Sequence, residues 1–131
     1  KLASGKPTVL CVEDDEDTLT MLTMMLEGRG YRVLAADSIE KALELASTHD
    51  DIHSLVTDYH INGRTAVELI SALGDRKPKN VVLLSGKHFA TDPKKEVPGI
   101  DSHVMKPFKL NKLLEKIDVQ RDQSTATPSS G

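Results

Sequence analysis

Five short apolar runs recur along the chain, at 9–12, 31–36, 54–57, 81–84 and 103–105. Most are continuous rather than alternating, the pattern of strands covered on both faces. Between them, apolar residues return at helical spacing. Leu19, Leu22, Met25 and Leu26 share one face, closed by Gly28 and Gly30. Ile39, Ala42, Leu43 and Ala46 share another, with Asp37 and Glu40 spaced for a capping box. Ala66, Leu69, Ile70 and Leu73 precede Gly74, and Leu110, Leu113, Leu114 and Ile117 form the last stripe. The stretch 86–98 holds Pro93, Pro98 and few apolar residues, so only a short, mobile helix is expected there. Met21, Met24 and Met25 read as core and edge filler. Strand and helix alternating five times predict an α/β domain, a parallel sheet with helices on both faces. In such sheets ligands gather outside the carboxyl ends of the strands, where the strand order reverses.

Composition narrows this to one domain. The 131 residues are 38% hydrophobic and 28% charged, enough for a single core. The polar ends, 1–6 and 120–131, are expected to be disordered segments, linker or tag, leaving a domain over 7–119. A formal charge of −3 argues against a global basic field for nucleic acid or anionic lipid. Cys11 is the single cysteine, which excludes an internal disulfide, and its place in "VLCV" reads as a buried thiol. No apolar stretch reaches the ~18 residues of a membrane span, so the expected location is the cytoplasm.

The candidate chemistry stands at the strand ends. The first run meets five consecutive carboxylates at 13–17. Asp15, Glu16 and Asp17 suit the first turn of a helix, which leaves Glu13 and Asp14. The third run ends at Asp58, the fourth at Ser85 and the fifth at Lys106. A strand order 2-1-3-4-5 would set Asp58 against Glu13 and Asp14. Three such carboxylates ionise together cheaply only with a cation, and a hard divalent ion such as Mg²⁺ fits oxygen donors. A carboxylate beside Mg²⁺ can attack a phosphoryl group, with a lysine and a hydroxyl on the other phosphoryl oxygens. Asp58 is then the natural acceptor. The five histidines, at 49, 53, 60, 88 and 103, lack metal-ligand spacing and read as surface or loop residues.

Taken together, "VEDD", "TDYHINGRTAVEL", "LLSG" and "MKPF" resemble the response-regulator receiver domain, the phospho-acceptor module of two-component signalling. The resemblance covers the chain from Pro7 to about Val119. It implies a flavodoxin-like fold, five parallel strands in the order 2-1-3-4-5 flanked by five helices. It implies phosphorylation of Asp58, and Mg²⁺ (or Mn²⁺) held by Glu13, Asp14, Asp58 and the backbone carbonyl of His60. Ser85 would move to the phosphoryl group, Lys106 would pair with it, and the Lys106–Pro107 bond would be cis. His60 and Lys87 occupy positions that tune hydrolysis. The implied partners are a histidine kinase or histidine phosphotransfer protein and a downstream protein or fused output domain. The module would be a signalling receiver and not an enzyme on other substrates, with no nucleic-acid or membrane contact of its own.

Four positions depart from the family pattern. Asn62 stands where proline is usual, Ala66 where the loop glycine is expected with Gly63 nearby, and Gly86 follows Ser85. His103 holds the aromatic switch position on the fifth strand, and with 3% aromatic residues nothing obvious substitutes. Two other readings compete. A receiver-like interaction module that signals without phosphate usually lacks the aspartate or the lysine, and both are present. A haloacid-dehalogenase-type phosphohydrolase needs D-x-D-x-T, but Leu19 follows Asp15-x-Asp17 at the threonine position and His60 stands two after Asp58.

Overall fold

The computed structural model describes residues 7–86, 89 and 91–125. Its main sheet contains β1 (Thr8–Val12), β2 (Arg32–Ala36), β3 (Ile52–Asp58), β6 (Asn80–Ser85) and β7 (Ser102–Met105), all parallel, in the order β2-β1-β3-β6-β7. That is the expected 2-1-3-4-5 order once a small hairpin, β4 (His60–Ile61) and β5 (Arg64–Thr65), is set aside. Five helices complete the chain: α1 (Glu16–Glu27), α2 (Ile39–Thr48), α3 (Ala66–Leu73), the single turn α4 (Pro93–Glu96) and α5 (Leu110–Thr125).

The continuous apolar runs are explained by burial on both faces. Every residue of β1 and of β6 is buried. Alternate side chains enter two separate cores. Leu10, Val12, Leu55, Val81 and Leu83 pack with Ala42, Ala46, Leu69 and Ile70 of α2 and α3. Val9, Cys11, Val56, Val82 and Leu84 pack with Leu22, Leu26, Leu113 and Ile117 of α1 and α5. Burial pushes the Cys11 thiol up to about 12, so it is an inert core group, as expected.

Local chemistry sets most helix ends. Asp15 caps α1, its carboxylate accepting from the Thr18 N–H at 2.9 Å, and Glu16 and Asp17 fill the first turn. Beyond α1, Gly28 donates to Met24 O and Gly30 takes φ 92°. The cap of α2 corrects the sequence reading by one residue. Ser38, not Asp37, accepts from Lys41 N–H at 3.0 Å, and Glu40 pairs outward with Arg64. Met21 and Met24 are exposed, not core filler. His53 and His103 lie in strands and are half-buried, not loop residues. The backbone of α5 runs to Thr125, into the segment expected to be a disordered tail from 120. Residues 1–6, 126–131, Lys87 and His88 lie outside the described residues.

The hairpin was not expected. It joins His60 to Thr65 and Ile61 to Arg64 across two residues, Asn62 (φ 52°) and Gly63 (φ 78°). Positive φ at both central positions suits the twist of a two-residue hairpin, and Asn-Gly is the dipeptide that adopts it most readily. Ile61 is fully buried beneath it. Arg64 reaches Glu40 of α2 at 2.6 Å and Glu68 of α3 at 3.0 Å. Exposed pairs of this kind add little stability, but they fix the hairpin against both helices. The turn therefore falls at Asn62–Gly63, and the expected glycine position, Ala66, instead starts α3 with its N–H on Tyr59 O at 2.8 Å.

Candidate functional site

Parallel pairing brings the carboxylates together. Val12 of β1 lies opposite Thr57 of β3, so Glu13, just past β1, and Asp58, the last residue of β3, come side by side at the carboxyl edge of the sheet. Glu13, Asp14 and Asp58 each offer an oxygen within 4.8 Å of the others, the one cluster of this kind among the described residues. Lys106 follows β7, and its main-chain N–H is fixed on Ser85 O at 3.0 Å. Its ammonium lies 3.0 Å from Glu13 Oε1 and 3.3 Å from Asp58 Oδ1. The Lys106–Pro107 bond is cis, as the family resemblance implied.

Burial and charge oppose each other here. Glu13 is only 2% exposed. Burial raises its carboxyl above the ordinary glutamate value, and the N–H of Asp15 and the Lys106 ammonium offset this only in part, with the Asp58 charge adding to the rise. Burial pulls Lys106 down, but its bond to Glu13 and the charges of Asp58 and Glu13 outweigh that and hold it above the ordinary lysine value. Asp58 Oδ1 also accepts from the Tyr59 N–H at 3.0 Å. Asp14, on the rim, accepts from the Asn62 N–H at 2.6 Å.

An all-oxygen donor set around a buried glutamate suits a hard divalent cation, because such an ion would offset the mutual repulsion of the three carboxylates. The chemistry open to this edge is thus metal-assisted attack by a carboxylate, with an ammonium at hand for a departing or arriving anion.

Of the other residues singled out from the sequence, Ser85 ends β6 and is buried, one position beyond Leu84, the register partner of Asp58. His60 opens β4, exposed, its ring edge-on to Tyr59 at 4.7 Å. His103, in β7, lies farther along the sheet, opposite Leu83.

Two participants were missed. One is the Asn62 N–H, whose signal was the Asn-Gly dipeptide itself. The other is Phe89, which stands edge-to-face with Tyr59 at 5.4 Å and with His103 at 5.4 Å. A ring from the loop after β6 thus supplies the aromatic partner that the fifth strand lacks. No periodic signal marks a lone phenylalanine between two prolines and a glycine.

His103 Nε2 is buried without a hydrogen-bond partner among the described residues. Burial lowers its pKa from the ordinary 6.5. The unfolded chain therefore binds more protons than the folded one between the two values. Stability attributable to this ring is complete above the unfolded value and falls as pH drops through that window. NMR of the imidazole nitrogens should place its midpoint below 6.5, and His103→Gln should flatten the stability loss over the same range. A midpoint at or above the ordinary value would refute this.

Comparison with known proteins adds three findings. Residues 9–118 match the family described as the response regulator receiver domain. A two-component response regulator, ORR3, of Oryza sativa subsp. japonica is 29% identical over 108 residues, covering 79% of this chain and 82% of that protein. Among solved structures, the receiver domain of the hybrid histidine kinase CckA superposes with TM-score 0.72 at 25% identity, over 86% of this chain and 97% of that one. A Burkholderia pseudomallei response regulator, solved with a phosphorylated aspartic acid, a calcium ion and citrate, gives 0.76 at 26%, over 94% and 76%. No helix among the described residues is long and apolar enough to cross a membrane.

Proposed function

The chain belongs to the response regulator receiver family, and from that premise we propose that it takes a phosphoryl group from a phosphohistidine onto Asp58. The donor is a histidine kinase or a histidine phosphotransfer protein. As in the family, the chain acts on its own phosphorylation state and not on a separate substrate. The observation that carries this reading is the convergence of Glu13, Asp14 and Asp58 within 4.8 Å, with Lys106 bridging Glu13 and Asp58.

Glu13, Asp14, Asp58 and the main-chain carbonyl of His60 would hold Mg²⁺, with Mn²⁺ as a substitute. Bound there, the cation would neutralise phosphoryl oxygens during transfer. A carboxylate oxygen of Asp58 attacks phosphorus as the phosphorus–nitrogen bond of the donor breaks, and the donor imidazole leaves with the electron pair. Lys106, already 3.3 Å from Asp58, turns to a phosphoryl oxygen as a point charge. The Ser85 hydroxyl donates to another. Water later cleaves the acyl phosphate, at a rate tuned by the His60 and Lys87 side chains. The outward signal is a population shift. Ser85 moves to the phosphoryl group, and His103, edge-on to Phe89 at 5.4 Å, is the readout position that changes the surface offered to a downstream protein or a fused output domain.

The direct test is intact mass after incubation with a small acyl-phosphate donor, with and without Mg²⁺, followed by a phosphohistidine protein donor. The expected result is one added phosphoryl group that needs the metal. No adduct, together with no beryllofluoride binding in the presence of Mg²⁺, would leave only a receiver-like interaction module.

A further inference from the structure

We propose that Asn62 is a positioning residue for Asp14, acting through its main-chain N–H at the tip of the Asn62–Gly63 turn; the proposal rests on the reading of Glu13, Asp14 and Asp58 as a cation site. The bond from Asn62 N–H to Asp14 Oδ2 is 2.6 Å, short and charge-assisted. Asp14 is an exposed carboxylate next to the helix cap Asp15. The N–H on Oδ2 restrains the carboxylate that offers an oxygen within 4.8 Å of those of Glu13 and Asp58. Outer-shell hydrogen bonds of this kind orient metal-binding carboxylates.

The turn can do this because of the residues that form it. The N–H is presented by a backbone at φ 52°, a region that asparagine and glycine tolerate and most residues avoid. Proline, the residue usual at this position in the family pattern, has no N–H and is held near φ −65°, so it could offer neither the donor nor the turn. The asparagine side chain adds a second hold. Its Nδ2 donates to Asp37 O at 3.0 Å, just beyond β2. The neighbouring Ala36 O accepts from Glu13 N–H at 3.0 Å. Asn62 thereby ties the β3 side of the pocket to the ends of β1 and β2, while Arg64 braces the hairpin on α2 and α3.

The test is calorimetric titration of MgCl₂ into the full chain and two variants. Asn62→Gly keeps the N–H and the positive φ and should bind Mg²⁺ with near wild-type affinity. Asn62→Pro should weaken binding ~10-fold or more, as loss of an outer-shell partner does. Because the proline variant can disturb the hairpin, NMR of the metal-free wild type provides an independent measurement. The Asn62 amide proton should be shifted downfield and exchange slowly, and Asp14→Ala should abolish both properties. A folded Asn62→Pro that binds Mg²⁺ as tightly as wild type, or an Asn62 amide indifferent to Asp14→Ala, would overturn the proposal. A wild type that takes up no Mg²⁺ at all would instead overturn the cation-site reading, and this proposal with it.

Discussion

Asp58→Asn is expected to take up no phosphoryl group under conditions in which the wild type gains one. The substitution is nearly isosteric, and the asparagine oxygen can still accept the Tyr59 N–H that now lies 3.0 Å from Asp58 Oδ1. The fold should therefore survive. An amide oxygen is a poor nucleophile toward phosphorus, and the variant also removes one of the three charges that would draw a cation to Glu13 and Asp14. Both losses act in the same direction, so the effect on uptake is complete while thermal stability changes little. Intact mass and peptide mapping provide the check. A phosphoryl group found on the variant, or mapped in the wild type to another residue, would refute Asp58 as the acceptor.

Lys106→Met should impair both stability and transfer. Methionine keeps much of the buried stem but removes the ammonium that Glu13 meets at 3.0 Å. Glu13 is 2% exposed and would keep only the Asp15 N–H, at 3.1 Å, among the described residues. Losing its charged partner costs such a buried group about 1–3 kcal/mol at neutral pH. Glu13 can limit the loss by taking up a proton. Its folded pKa already lies above the ordinary value because burial dominates, and removing Lys106 raises it further. A raised folded pKa stabilises at low pH, and that contribution is lost as pH rises through it. The deficit of the variant should therefore be largest near pH 7 and shrink toward the ordinary glutamate value of 4.5. Denaturant titration of the metal-free protein at several pH values would show this, and an equal deficit at all of them would refute the account. Transfer should slow by ~100-fold, the usual cost of losing one preorganised charge donor.

How much of this could be read from sequence depended on the length scale of each feature. The five strands were legible because burial on both faces leaves continuous apolar runs, and β1 and β6 show that burial in full. The cluster was legible because each member directly follows such a run, so strand order alone brings Glu13, Asp14, Asp58 and Lys106 to one edge. The β4–β5 hairpin was not, since its two-residue strands are too short to carry a period. Asn62 was read as a missing proline when the dipeptide it forms with Gly63 was itself the turn signal. Ser38 and Asp37 both suit a helix cap, and sequence could not say which backbone angle each would take. Met21 and Met24 sit near the stripe of α1 but outside its buried width, where only Leu22 and Leu26 are fully covered. The Phe89–His103 contact joins residues on different elements through tertiary packing, which no local pattern encodes.

The edge-to-face ring cluster at the end of β3 also makes the protein its own optical reporter. The chain has no tryptophan and two tyrosines, so its ultraviolet emission comes from two phenols. They sit on opposite faces of the sheet. Tyr31 is buried in the α1–α5 core with its hydroxyl on Asp118. Tyr59 packs on the α2–α3 side, is bonded through its N–H to Asp58, and meets His60 and Phe89 edge-to-face. Charge arriving at or leaving the acidic edge is felt by one emitter and hardly by the other. With Tyr31 changed to phenylalanine, the remaining light would come from a single ring beside Asp58, and occupancy of the acidic edge could be followed in real time without a label.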